Sequence, residues 1–241
     1  MKRIAIIGGG PIGLEAALYG RIAGYDVDLY ETSCVAANVR DWGHVRLFSP
    51  FGMNASTWGR QAVAANEPEL APLNDDDYVT GLEFAARYLE PLSRLPILRE
   101  SIHEQTTGLG ISRSRLRKGD LIGRAARGND PFRLLLRSAD GQERDAAADV
   151  VFDCSGVYPH HNWFGAGGLP AIGEMSATPE IEYGLPDILG DCRADYAGQT
   201  TLVVGSGYSA ATAVTSLARL CEQDTGTRVI WLTRGDRIPP L

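Results

Sequence analysis

The sequence predicts an α/β protein built on parallel strands, and three observations carry that prediction. Residues 3–7 (RIAII) form an unbroken apolar run, as in a strand buried on both faces. The glycine-rich turn GGGPIG follows at once and opens a helical stretch. Far along the chain, TTLVVGSGYSAATAVTSLARL (200–220) repeats the same order of apolar strand, glycine turn and helix. The repeat is architectural, two β-α-β starts roughly 200 residues apart, and not a short-period array.

The first helix is expected from about Ile12 to Ala23, with Gly24 as its stop. YDVDLYE (25–31) alternates apolar and polar residues and reads as the second strand of a β-α-β unit. Residues 32–77 read as irregular, with Gly, Pro, Asn and Asp throughout. Residues 78–95 read as helical because Tyr78, Leu82, Ala85, Ala86 and Leu89 recur at helical spacing, until Pro91 and Pro96 break the pattern. Short strands are expected near Ile97–Leu98 and Gly108–Ser112. FRLLLRS (132–138) and the segment after ADG suggest a hairpin turned at Asp140-Gly141. VVFDCSG (150–156) is a further buried strand ending on a glycine. Residues 157–198, rich in Gly and Pro, read as a connector, and RVIWLTR (228–234) is the last strand.

Composition bounds the function. The chain has 241 residues, 44% of them apolar, enough for one large or two modest domains. A formal charge of −7 argues against a nucleic-acid partner, which favours a basic face. Small anions are not excluded, because backbone dipoles can hold them. Cys34, Cys154, Cys192 and Cys221 are scattered with no C-x-x-C pair, so a dithiol centre or a zinc site has little support. The apolar stretch Ile4–Ile7 is too short for a signal-peptide core or a membrane span, and a cytoplasmic protein with no membrane partner is expected.

The motif Gly8-x-Gly10-x-x-Gly13, closed by Glu31, carries the chemistry. Gly8 permits the tight turn out of the strand, Gly10 leaves room for a pyrophosphate, and Gly13 lets helix and strand approach. The helix N-terminus, from Pro11 and Ile12 onward, aims free N–H groups and partial positive charge at the phosphates. Glu31 stands where a carboxylate accepts from ribose hydroxyls, and it would repel an added 2′-phosphate. The motif by itself does not separate FAD from NAD. The second motif, Gly205-x-Gly207-x-x-Ala210, spans Tyr208 and Ser209, and the strand after it ends at Thr233-Arg234 with Arg237 close behind. Arginine pairs with a 2′-phosphate through a charge-assisted fork, so NADPH is expected over NADH, although Asp236 lies near.

With both fingerprints and the strand VVFDCSG between them, the layout resembles the two-dinucleotide-binding-domain flavoproteins, which include flavin-containing monooxygenases and thioredoxin reductases. The resemblance implies a Rossmann-like FAD-binding domain with a β-meander over 1–156, a connector over 157–198, and the start of a second Rossmann-like, NADPH-binding domain over 199–241. It implies that Ser155-Gly156 lies near FAD, and that the loop after Glu31 returns to the cofactor with Arg40, Trp42, His44 and Ser49. The other reading of that loop is that Trp42 and Phe48 simply pack the domain. VVGSGYSAAT and VIWLTR are similar to NADPH segments of the monooxygenase-like branch, and the disulfide reductases need a cysteine pair that is not present. No clean F-x-G-x-x-x-H-x-x-x-(F/Y) signature stands between the domains. His160 and His161 precede an aromatic-glycine stretch, and ADYAG (194–198) occupies the place of the signature.

Adjacent histidines point apart and no third ligand is evident, so His160 and His161 are expected to bind no metal. Asp75–Asp77 reads as a solvated helix entry. The second β-α-β start has few following strands, so a truncated chain, a homo-oligomer or a completing C-terminal segment is expected. The leading expectation is an FAD-dependent, NADPH-using oxidoreductase acting on a small-molecule substrate or electron acceptor. No acid, base or nucleophile is assigned. A non-catalytic nucleotide-binding module and an NAD-dependent dehydrogenase are the alternatives.

Overall fold

A computed structural model of the chain describes residues 1–235, so Asp236 and Arg237 lie outside the described residues. The chain divides into two units, Met1–Pro159 and His160–Leu241. The segment expected as a connector therefore lies almost wholly in the second unit.

In the first unit β1 (Arg3–Ile7) leads through α1 (Pro11–Ile22) to β2 (Asp26–Tyr30). The two strands pair in parallel, Arg3 opposite Asp26 through Ile7 opposite Tyr30. The segment expected to be irregular between 32 and 77 contains three helices, α2 (Ala37–Asp41), α3 (Phe51–Asn54) and α4 (Thr57–Asn66). These pieces are too short or too weakly patterned for periodicity to reveal. Tertiary contacts hold them instead: Phe51 packs edge-on to Tyr88 and Phe84, and the Ser56 hydroxyl caps α4 by accepting the Gly59 N–H at 2.8 Å.

The helix expected over 78–95 begins at Gly81, where Thr80 and Glu83 form a reciprocal capping box. It runs as α5 (Gly81–Phe84), a π-turn (Ala85–Leu89) and α6 (Glu90–Ser93). Pro91 does not break it. The wider turn, in which the Glu90 N–H bonds to the Ala85 carbonyl, precedes the proline at the second position of α6. Proline has no N–H to donate and crowds the carbonyl four residues back, so a locally expanded helix accommodates it.

No strand forms at Ile97–Leu98, where the chain turns and Leu98 buries itself in the core. The strand at that position in the fold is β3 (Ile102–His103), short and paired in parallel to β2. Next come β4 (Thr106–Arg113), β5 (Phe132–Ser138) and β6 (Glu143–Ala148), an antiparallel meander with a bulge between Gly108 and Gly110. Its second hairpin turns at Asp140-Gly141 as the sequence suggests, with Gly141 at φ 82°. β7 (Val150–Asp153) then returns beside β1 and completes a parallel sheet in the order β3-β2-β1-β7. One face of that sheet packs Ile4, Ile6, Val27 and Leu29 against Leu14 and Leu18 of α1 and the helices around Tyr88. The other packs Ala5 and Tyr30 against Leu134 and Leu136 of the meander.

The second unit contains α7 (Glu174–Ala177), α8 (Arg193–Tyr196), β8 (Thr200–Val204), α9 (Tyr208–Gln223) and β9 (Arg228–Leu232). β8 and β9 pair in parallel, and α9 covers one face through Leu217 and Leu220, packed with Val203 and Val229. Leu202, Val204, Ile230 and Leu232 on the alternate positions are exposed. Phe164, Ala171 and Tyr183 are tied to Glu174, whose buried carboxylate accepts the Ala171 N–H at 2.6 Å, the Phe164 N–H at 3.0 Å and the Tyr183 hydroxyl at 2.9 Å. His161 stacks on Tyr183 with ring centroids 3.6 Å apart.

Candidate dinucleotide sites

The first glycine turn is dictated by close approach. Gly8 sits at φ 106°, a region open to glycine, and a Cβ there would collide with the carbonyl of Cys154, the residue that follows β7. A Cβ on Gly13 would overlap the Gly8 carbonyl, so the start of α1 lies directly on the turn. Gly10 differs: nothing lies within 4 Å of the position a Cβ would take. Its bareness serves no internal packing. It leaves open backbone in front of the helix N-terminus, where first-turn N–H groups have no partner within the helix. Pro11 stands at the first helical position, Ile12 is exposed, and the Leu14 N–H makes the first helical bond, to the Gly10 carbonyl at 3.0 Å.

Glu31 stands beside this space at the end of β2. Its carboxylate accepts the Gly9 N–H at 2.6 Å and the Ser33 N–H at 2.9 Å, which fixes its orientation and leaves lone pairs free for hydroxyl donors. The loop beyond it folds back, with the Ala36 N–H on the Gly9 carbonyl at 3.0 Å. Glu104 also supports the loop by accepting the Val35 N–H at 2.6 Å. Nothing in the sequence pattern marks Glu104, because its partner lies far away along the chain.

The other residues expected here are placed as follows. Arg40 pairs with Glu90 at 2.7 Å and donates to the Val35 carbonyl at 2.5 Å, and the Glu90 bond raises its pKa. A cavity of about 310 Å³ opens beside this pair, between the loop and β3. Trp42 lies on Gly81, partly buried against the core, and the Ser49 hydroxyl donates to Asn54 at 3.0 Å. Ser155 and Gly156 are exposed just past β7, next to Cys154 and the Gly8 turn. The Ser155 hydroxyl donates to Asp153 at 2.6 Å and holds that carboxyl below its usual range. Burial, with Asp153 alongside, pushes the Cys154 thiol up.

The second turn repeats two backbone bonds of the first. The Gly8 N–H bonds to the carbonyl of Tyr30, the last residue of β2, at 2.8 Å, and the Gly205 N–H bonds to that of Leu232, the last of β9, at 2.9 Å. Gly205 is at φ 124°, nothing lies within 4 Å of a Cβ on Gly207, and the Ala211 N–H bonds to the Gly207 carbonyl at 3.1 Å. The Ala210 methyl would lie 3.9 Å from a Cβ on Gly205, an ordinary contact, so alanine fits where the first turn needs Gly13. The Trp231 indole donates to the Gly205 carbonyl at 2.7 Å and pins the turn, a tie with no sequence signature. Tyr208 and Ser209 begin α9, and Arg234 is exposed just after β9.

No protein-family model and no curated protein sequence matches this chain. Solved structures do. The cadaverine monooxygenase DfoA of Erwinia amylovora, solved with FAD, superposes with a TM-score of 0.67 at 16% identity over 99% of this chain and 52% of its own. The chain thus shares the fold of that FAD-bound monooxygenase over the length that superposes. The bacillithiol disulfide reductase Bdr (YpdA) of Bacillus cereus superposes with a TM-score of 0.64 at 16% identity, over 99% of this chain and 60% of its own. A flavin-containing monooxygenase of Stenotrophomonas maltophilia gives 0.62 at 19%, over 98% and 59%. The chain thus spans between half and two thirds of these flavoproteins. Reductase and monooxygenase superpose about equally well, so the fold does not choose between the branches. No helix among the described residues is long and apolar enough to cross a membrane.

Proposed function

We propose that this chain binds FAD in its first unit and NADPH in its second, as part of a flavin-dependent oxidoreductase. The observation that carries this reading is the matched pair of turns: in each, bare glycine backbone faces open space at a helix N-terminus. Both fit a diphosphate, which a helix N-terminus holds through N–H donors and the helix dipole. Glu31 accepts from the ribose of the first nucleotide. Arg234 pairs with the 2′-phosphate of the second, and no carboxylate ends β9 among the described residues to oppose it. Once bound, the nicotinamide and flavin supply hydride transfer. The chain supplies position and charge.

The test is an absorption spectrum of freshly purified protein, read before and after anaerobic addition of NADPH. A flavin spectrum that bleaches supports the oxidoreductase. Nucleotide binding without bleaching would favour a non-catalytic module, and tight NAD binding without flavin a dehydrogenase using the first site only.

A further inference from the structure

The loop joining β4 to β5 runs against the charge of the rest of the chain. Between residues 113 and 127 six cations, Arg113, Arg115, Arg117, Lys118, Arg124 and Arg127, face one carboxylate, Asp120, in a chain of net charge −7. The loop is held in shape from its base. Buried Asp130 accepts the backbone N–H and the Nε of Arg115, both at 2.8 Å, and Arg113 lies 3.8 Å over the Phe132 ring. Arg127 donates to the carbonyls of Arg117 and Asp120. Among the described residues Arg117, Lys118 and Arg124 make no ion pair, and all three are exposed.

At the tip of this basic loop stand two aliphatic side chains. Leu121 is 43% exposed and Ile122 is 73% exposed. Leu121 also sits at φ 52°, a left-handed conformation that branched apolar residues avoid and that glycine or asparagine would adopt more readily. A leucine held there, facing water, runs against both local preference and burial. Such outliers concentrate where function needs them.

We propose that this loop docks the protein on an anionic lipid surface, with Leu121 and Ile122 entering the headgroup region and Arg117, Lys118 and Arg124 meeting lipid phosphates. Surface docking needs no spanning helix. Each cation near an anionic leaflet contributes about fivefold in partitioning, and buried aliphatic carbons add to it. The aliphatic tip is what favours lipid over nucleic acid, since single-stranded nucleic acids are gripped by aromatic stacking and no aromatic ring stands between Arg113 and Arg127. The acidic remainder of the chain would be repelled by the same surface, which orients the protein loop-first.

Vesicle flotation of the full chain tests this, with vesicles of phosphatidylglycerol mixed into phosphatidylcholine and vesicles of phosphatidylcholine alone. The chain should float with the mixed vesicles only, and added salt should release it. The triple variant Arg117→Glu/Lys118→Glu/Arg124→Glu and the double variant Leu121→Ser/Ile122→Ser should each bind at least tenfold more weakly. Should the triple variant fail to fold, Lys118→Glu alone should weaken binding severalfold. Absence of flotation at low salt would overturn the proposal, as would variants that float like wild type. Binding to RNA or to an acidic polypeptide in preference to the vesicles would overturn it too.

Discussion

In the function proposed above, the choice of nicotinamide nucleotide rests on Arg234. It is exposed at the end of β9 and follows Thr233, whose hydroxyl bonds to the Gly235 carbonyl at 2.8 Å. A charged hydrogen-bonded pair with a 2′-phosphate contributes about 1.5–3 kcal/mol. Arg234→Ala is therefore expected to weaken NADPH binding about 10- to 100-fold and leave NADH unchanged, as isothermal titration would read. Tyr30 gives a prediction in pH. Burial first, then Asp28, pushes its hydroxyl up to about 12 from an ordinary 10.0. Because the folded state holds the proton more tightly, this stability is complete below pH 10 and is lost as pH rises toward 12. Urea denaturation between those values should show a steeper loss for wild type than for Tyr30→Phe. The place of Glu31 at the end of the second strand was legible at this scale from the motif spacing, whereas its bond to the Gly9 N–H was not. Glu104 and Trp231 were not, since each acts on backbone brought near only by folding.

At the scale of elements, what the sequence revealed depended on length and regularity. The opening strand, helix and second strand emerged within a residue or two of their expected limits, because a long buried run and a glycine turn bound them. The helices between residues 37 and 66 were missed: Ala37–Asp41 and Phe51–Asn54 have too few turns to show a period, and Phe51 is fixed by rings from beyond residue 80. Pro91 misled in the other direction, because the π-turn ahead of it keeps the helix continuous. The start of that helix rests on Thr80, which accepts the Glu83 N–H at 3.2 Å while the Glu83 carboxylate accepts the Thr80 N–H at 2.7 Å. Thr80→Ala should cost about 1 kcal/mol in chemical denaturation, and Thr80→Ser should restore most of it.

For the molecule as a whole, the sequence showed that a strand–glycine turn–helix start occurs twice, and the structure adds that the two agree down to single backbone bonds. The three-layer packing of the first unit, with helices on one face of its sheet and the meander on the other, could not be read in advance because it depends on which strand faces meet. The claim on which the account depends is that each open turn holds the diphosphate of its own nucleotide. Gly10→Ala and Gly207→Ala test it most directly, since both backbones suit alanine (φ −80° and −82°) and neither Cβ would touch the protein. Equilibrium binding of FAD and NADPH to each variant, with thermal melts as the control, is the measurement. Gly10→Ala should lose FAD at least tenfold and keep NADPH, Gly207→Ala should do the reverse, and neither should lose more stability than the cap penalty of about 1 kcal/mol. Undiminished FAD binding by Gly10→Ala, in a protein that melts like wild type, would contradict the account.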